Sequence, residues 1–460
     1  MTKIVKIAVV GCGITGSTFT SQLLSRLPSS LPSTSTAQIR VYDQGYRPGG
    51  RTSSRLLTQL DDTETEILVD HGCQFFRADL PTSRSIVDSW VDQGFVKKLD
   101  SIKSSSSSSS SSFFGFPNHP PFFYPTSGGM VGLVNNQVST WSSDSVTVSS
   151  SHRVTSVEKV NDPSCSSHET SFKFKVTSTT GRNAIHDTAD KDMSAAPPTE
   201  TDLFDAVVFT DVSSTSFKSW HRASALGGEG SGVPEEFLAD VRARLDVSGR
   251  VPLFSCIVVF ETPLQLEGGA EAVTFEDDQG AAWFCCRSSA KLGESPPSSS
   301  SSTLDAWVII STPKFGVDEI TRVPMQTEDG KFIPQDKGYL RDGPCQALLD
   351  DLRSFAKKPL PKIVHLDGQR WGSALPGVKF NGVEGGKKVC RDVLYDGAMQ
   401  DLAPTVAYPS PAFNEKSFVM HESGLFQAGD MMSLTSPGVE GAIISAAECA
   451  DAVIDLISKK

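Results

Sequence analysis

The hydrophobic pattern begins with an apolar, β-branched run at residues 4–10, Ile-Val-Lys-Ile-Ala-Val-Val, which has the length of a buried strand. Gly11-Cys12-Gly13-Ile14-Thr15-Gly16 follows directly. From residue 17 to 27 the apolar positions Phe19, Leu23, Leu24 and Leu27 recur at helical spacing. A Pro- and Ser-rich loop is predicted at 27–38 and a second strand at 39–42. The spacing of Ile86, Val87, Trp90 and Val91 predicts a helix over 83–96, and Gly128-Gly129-Met130 is a turn opening a helical stretch to residue 136. Alternation predicts strands within 145–160, at 170–178 and at 205–210. Residues 252–311 read as β-rich, with strands at 253–262, 281–287 and 307–312. A last strand ends in Gly429-Asp430. A helix then runs from 438 to 457, with Ile443, Ile444, Ala447, Ala450, Val453, Ile454 and Ile457 on its inner face. Between these elements, 56–67 is a polar hairpin or insert and 185–202 a mobile loop. The serine runs 104–112 and 296–302 are too poor in apolar surface to order themselves, and disorder is expected there.

The chain has 460 residues, 38% of them hydrophobic, and a net charge of −12. That length suffices for a large core without staples. The acidic balance argues against nucleic acid and anionic membrane as general partners. The nine cysteines are scattered, with no Cys-x-x-Cys, and read as free thiols of a reducing compartment. No histidine or cysteine spacing fits a metal, so no metal site is expected. A core strand starting at residue 4 leaves no room for a signal peptide, and no apolar run reaches membrane-spanning length. The expected location is cytoplasmic.

Strand, glycine turn and helix in that order make a dinucleotide-binding start. Gly11 allows the tight turn, Gly13 lets backbone approach a diphosphate, and Gly16 lets helix and strand pack closely, while the helix N-terminus favours the phosphate charge. An ordinary βα turn is the alternative. Asp43 ends the second strand, where a carboxylate holds the adenosine ribose and repels a 2′-phosphate. The alternative there is a surface acid. Arg47-Pro48-Gly49-Gly50-Arg51 then offers two glycines to a ligand backbone and a planar guanidinium to a phosphate.

Together these motifs resemble the FAD-binding start of the flavin amine oxidase superfamily. Asp70-His71-Gly72-Cys73-Gln74-Phe75-Phe76 resembles the corresponding stretch of its renalase-like members. The alternative for that stretch is a strand with a glycine bulge. The segment 311–317 and Trp371-Gly372 resemble the same members. The resemblance implies an α/β fold with a Rossmann-like FAD-binding domain of the glutathione-reductase type and a second domain of mixed or antiparallel sheet. Residues 1–78, 128–220 and 376–460 would build the first. Residues 79–127, including the serine insert, and 221–375 would build the substrate domain. It further implies non-covalent FAD held by Gly11, Cys12, Gly13, Ile14, Thr15, Gly16, Asp43, Gly50, Arg51, Gln74, Val154, Gly429, Asp430, Val439, Gly441 and Ala442. Relatives place a small residue and a proline after the strand ending at Thr210; this chain has Asp211-Val212.

The chemistry implied is hydride transfer from a small-molecule substrate to the flavin, with oxygen as acceptor. The donor would be an off-isomer dihydronicotinamide nucleotide; an amine is the alternative. A non-enzymatic binding protein on the same fold is the third reading, and it sits poorly with intact glycine and Gly-Asp motifs. No catalytic acid–base pair can be assigned. Phe75, Phe315 and Trp371 are expected as aromatic pocket walls.

Overall fold

In the computed structural model the described residues are 3–30, 35–58, 60, 66–99, 102–106, 112–113, 116–117, 122–162, 172–180, 198–211, 232–248, 251–275, 280–293, 304–325, 333–376, 378–384, 387–392, 416–433 and 438–459. The first apolar run forms the strand Lys3–Val10. It pairs in parallel with Ser35–Asp43 on one side and Ala206–Phe209 on the other. Both faces of a central parallel strand are covered, which is why the run is continuously apolar rather than alternating. Ile7 and Val9 face a core shared with the helices Ile14–Ser30 and Gly438–Ser458. Ala8 and Val10 face a second core with Val154, Phe174 and Val176. Those last residues belong to a three-stranded antiparallel layer, His152–Asn161, Phe172–Thr180 and Thr199–Phe204.

The sheet has six strands in the order Val146–Ser150, Ser35–Asp43, Lys3–Val10, Ala206–Phe209, Leu425–Gln427 and Val419–His421. All pairs are parallel except the last. Strands from the two ends of the chain therefore lie two places apart in one sheet. A second six-stranded sheet runs Ile363–Leu375, Val251–Phe260, Asp305–Ser311, Ala282–Arg287, Ala272–Thr274 and Ser104–Ser106. It is antiparallel apart from its last pair. Every residue of Val251–Phe260 is buried. Ile257 and Val259 join the main core, while Cys256, Val258 and Phe260 pack with Leu348, Leu349 and Leu352 of the helix Pro344–Ala356. The α/β class with a Rossmann-like sheet and a second, largely antiparallel sheet is thus the architecture found.

Several local expectations differ. The loop at 27–38 is shorter than its composition suggests, because the first helix runs to Ser30 and the strand begins at Ser35. The helix at 83–96 is Pro81–Asp92, and Val96 starts a strand instead. Of the serine run expected to be disordered, Ser104–Ser106 is an edge strand on Ala272–Thr274 and Ser112 pairs within a two-residue ladder; 107–111 lie outside the described residues. Thr199–Asp202, expected in a loop, belongs to a strand. Residues 185–197 and 296–302 lie outside the described residues. The helices Glu235–Ser248 and Pro313–Arg322 were not anticipated.

One buried ion pair ties the hairpin of Ser54–Leu57 and Ile67–Asp70 to the short helix that follows the strand Ala282–Arg287 of the antiparallel sheet. Lys291, fully buried on the helix Ser288–Leu292, donates from Nζ to Asp70 Oδ2 at 2.7 Å and to Gln74 Oε1 at 3.0 Å. Tyr124 Oη donates to the same Asp70 oxygen at 2.7 Å, while Ser54 Oγ and the Met130 amide donate to the other at 2.6 and 2.8 Å. Burial alone would raise the Asp70 carboxyl, but Lys291 and the other donors hold it below the ordinary carboxylate range. Removing one partner leaves the other charge buried and uncompensated. We expect Lys291→Met to lose about 3–5 kcal/mol in urea denaturation. Adding Asp70→Asn should return a substantial part of that loss, and equal stability of the single variant and wild type would refute the role given to the pair.

Candidate functional site

The glycine turn is built by contacts that leave no room for side chains. Gly11 has a φ of +105° and donates its amide to Tyr42 O at 2.7 Å. A Cβ on Gly16 would lie 2.0 Å from Gly11 O. The second strand end is clamped to this turn, because the Asp43 carboxylate accepts the Cys12 amide at 2.8 Å and the Gly45 amide at 2.7 Å. Gly49 docks its amide on Cys12 O at 2.9 Å with a φ of +137°. Two glycine backbones thus face one another, and a Cβ on Gly50 would meet nothing nearer than Gly13 Cα at 3.9 Å.

Arg51 reaches across the chain. Its Nη1 and Nη2 donate to the two oxygens of Asp430 at 2.7 and 2.5 Å, and Nη1 also donates to Ala374 O at 3.1 Å. This fork joins the second glycine segment to the Gly-Asp strand end, 379 residues later. Gly429 is held from behind: its amide donates to Ser445 Oγ, which donates in turn to Ser417 O.

These elements enclose one cleft of about 630 Å³, within the range of ligand-sized cavities. Of the expected binding residues, Gly11, Cys12, Gly13, Ile14, Thr15, Asp43, Gly50, Arg51, Gln74, Val154, Asp430, Val439 and Ala442 line it. Gly16, Gly429 and Gly441 do not reach its wall; the first two shape the turns behind it. Gln74 is on the wall, but its amide is committed to Asp70 O, Gly72 O and Lys291. Gly72 must lack a side chain, since a Cβ there would lie 2.2 Å from Arg51 O and 3.2 Å from the Trp371 ring.

Of the three aromatic walls expected, two face the cleft. Phe75 lines it, backed edge-on by Phe122 and Phe284. Trp371 lines it too, with its indole N–H on His71 O at 2.8 Å. Phe315 does not. Thr312 Oγ1 accepts the Phe315 amide and starts the helix Pro313–Arg322, and the ring packs edge-on against Phe254. The expectation failed because the turn at Thr312-Pro313 redirects the chain. Leu253, Ile310 and Met325 supply the apolar wall instead. Residues 434–437, before the closing helix, lie outside the described residues.

Burial pushes both cleft thiols up, Cys73 to about 12, so neither is a thiolate at neutral pH. Burial beside Trp371 lowers His71 to about 4, which keeps its imidazole neutral. Sequence reasoning missed Thr210, Asp211, His152, Arg77 and Asp79 on the wall. Asp211 occupies the position where a proline-containing pattern was expected, and its charge adds to that of Asp43. Among the described residues no three His, Cys, Asp or Glu side chains form a metal-binding group, and no helix among them is long and apolar enough to cross a membrane.

The fold is one shared with putrescine oxidase. A cofactor-binding redesign of that enzyme superposes with a TM-score of 0.55 at 10% identity, over 99% of this chain and 100% of that one. Putrescine oxidase bound to putrescine gives 0.51 at 11%, over 98% and 100%. Reduced UDP-galactopyranose mutase gives 0.53 at 11%, over 98% and 96%. At such identity the likeness is one of fold. No family model and no curated protein matches the chain.

Asp43 generates a prediction that needs no ligand. Burial raises its carboxyl to about 6, against the lowering effect of the Cys12 and Gly45 amides and with a further push from Asp211. Between the unfolded value near 4 and 6, the folded protein binds more protons than the unfolded chain. Stability therefore falls as pH rises through that window, by about 3 kcal/mol for this group alone. Comparing urea midpoints of wild type and Asp43→Asn at pH 4, 5 and 7 should show the wild type alone carrying this component. Parallel curves for the two proteins would disprove it.

Proposed function

We propose that the protein is an FAD-dependent oxidoreductase of renalase-like type, which binds FAD non-covalently and oxidises off-isomer dihydronicotinamide nucleotides with oxygen as acceptor. The observation that carries this reading is the convergence of four separate segments on one cleft: Gly11–Thr15, Gly49–Arg51, Asp430, and the first turn of the helix Gly438–Ser458. The residues fit the cofactor. Gly13 and Gly50 lie on the cleft wall, where the lack of side chains lets a diphosphate approach backbone, and the N–H groups opening the helix Ile14–Ser30 add a favourable field. Asp43 and Asp211 set a doubly acidic end that suits ribose hydroxyls and disfavours a 2′-phosphate. Arg51 follows Gly50 on the same wall.

When bound, FAD would supply the hydride acceptor and hand electrons to oxygen. The chain's part is to position and exclude water. Val439 and Ala442 open the closing helix, whose N-terminal dipole favours negative charge on a reduced ring. Phe75, Leu253, Ile310, Met325 and Trp371 form a dry wall at which a planar, neutral donor ring can lie. No titratable side chain on that wall is needed to take a proton, because hydride leaves the donor as a unit.

Oxidation of a small amine is the second reading, supported by the fold shared with putrescine oxidase. Purified protein should be yellow, with a flavin absorption spectrum released intact by acid precipitation; a colourless protein that takes up no FAD would sink the flavoenzyme reading. Anaerobic mixing with borohydride-generated dihydronicotinamide isomers should bleach the flavin. Bleaching by amines alone would select the second reading.

A further inference from the structure

Arg77 lines the cleft, yet the reading above gives it no task. Its side chain is 6% exposed. The guanidinium lies 5.2 Å over the Phe122 ring and donates from Nε and Nη2 to the two oxygens of Asp79, each at 2.9 Å. Asp79 itself is about half exposed, and a second arginine stands ready beside it. Arg84, stacked on Phe123, places Nη2 3.8 Å from the same Asp79 oxygen. The neighbouring carboxylate, Glu440, is committed elsewhere: its Oε1 accepts the Asp79 amide at 2.5 Å, the Leu80 amide at 2.7 Å and Ser83 Oγ at 2.6 Å, at the start of the helix Pro81–Asp92. Glu440 lies in the first turn of the closing helix. Its bonds therefore tie the Asp79 segment, and Arg77 with it, to the first turn of that helix.

The arrangement has the properties of an exchangeable cation. Stacking on Phe122 holds the guanidinium in place, and a planar fork suits a phosphate better than a point charge would. If an anionic group enters and takes the fork, Asp79 keeps solvent and Arg84 as partners, so no carboxylate is left buried and unpaired. We infer that Arg77 is an anion subsite of the substrate pocket that takes the phosphate monoester of a substrate nucleotide, while the Phe75–Trp371 wall takes its ring. This inference rests on the nucleotide-substrate reading above and adds that the phosphate is recognised.

Titration calorimetry of the holoprotein with two unreactive probes, oxidised nicotinamide mononucleotide and nicotinamide riboside, tests it. The wild type should bind the mononucleotide about tenfold to a hundredfold more tightly than the riboside, the range of charge-assisted hydrogen bonds. Arg77→Gln should abolish that ratio and leave the riboside affinity unchanged; Arg77→Lys should retain part of it. Equal affinities in the wild type, or equal weakening of both probes by Arg77→Gln, would overturn the proposal. The second result is what lost packing on Phe122 produces. Asp79→Asn is an independent variant that should strengthen mononucleotide binding, and loss of the preference there would equally refute it. Failure of the oxidation reading looks different: the dihydro isomers leave the flavin unbleached while the phosphate preference persists.

Discussion

The carboxylate of Asp70 is the constraint on which the cleft depends. Four donors from four segments converge on its two oxygens: Lys291, Tyr124, Ser54 and the Met130 amide. Two of the segments that meet here, those of Ser54 and of Asp70 itself, run directly into the cleft wall. Ser54 lies on the hairpin strand that follows Arg51, and Asp70 ends its partner strand just before Gly72–Phe76. Lys291 follows the antiparallel sheet strand Ala282–Arg287. A buried ion pair contributes little net stability against an apolar replacement. What it does impose is geometry, since any other arrangement would leave a charge unpaired in a low-dielectric core. Gly129 shows how tight this junction is: a Cβ there would lie 2.6 Å from both Asp70 Oδ1 and Ser54 Oγ.

The second constraint is the Arg51–Asp430 fork. It spans nearly the whole chain and joins two segments that line the cleft. Asp430 is almost fully buried and Arg51 about one-third exposed, so the pair is anchored at the acid and accessible at the base. That asymmetry suits a guanidinium that keeps its protein partner while presenting a remaining edge to a ligand phosphate. The expectation that both residues meet a cofactor is compatible with this, but the structure adds that they first hold one another.

What was legible in the sequence was local. The strand, glycine turn and helix at 4–27 are contiguous, and steric demands such as the 2.0 Å approach at Gly16 leave a mark in residue type. The same holds for Gly49-Gly50 and for the apolar face of the closing helix. Non-local pairs leave no such mark. Lys291 in a short polar-looking stretch, or Glu440 capping a helix about 360 residues earlier, has no periodic signature. Ser104–Ser106 fails in the opposite direction. Its composition suggests disorder, but an edge strand needs only backbone donors and acceptors, and Ala272–Thr274 supplies them. Phe315 was misplaced because a threonine cap and a proline turn the chain into a helix one residue beyond the strand.

Charge along the cleft follows an order that the fold alone does not require. Asp43 and Asp211 set two carboxylates on the wall beside the glycine turn, with Arg47 and Arg153 also on the wall. Arg51 follows Gly50, and Arg77 is tied through Asp79 to Glu440 of the closing helix. A dinucleotide threaded through this field has one favourable direction: neutral ribose hydroxyls against the acids and diphosphate near Arg51, with its far ring towards the first turn of the closing helix. Reversal would set phosphate charge nearer the buried Asp43 and the half-buried Asp211, the first of which already has its carboxyl raised by burial and by its neighbour. The acidic end therefore selects orientation by repulsion, and the basic groups select it by attraction. Arg77, by contrast, already shares its fork with Asp79, so a second anionic molecule reaching that part of the cleft has to take the place of this carboxylate.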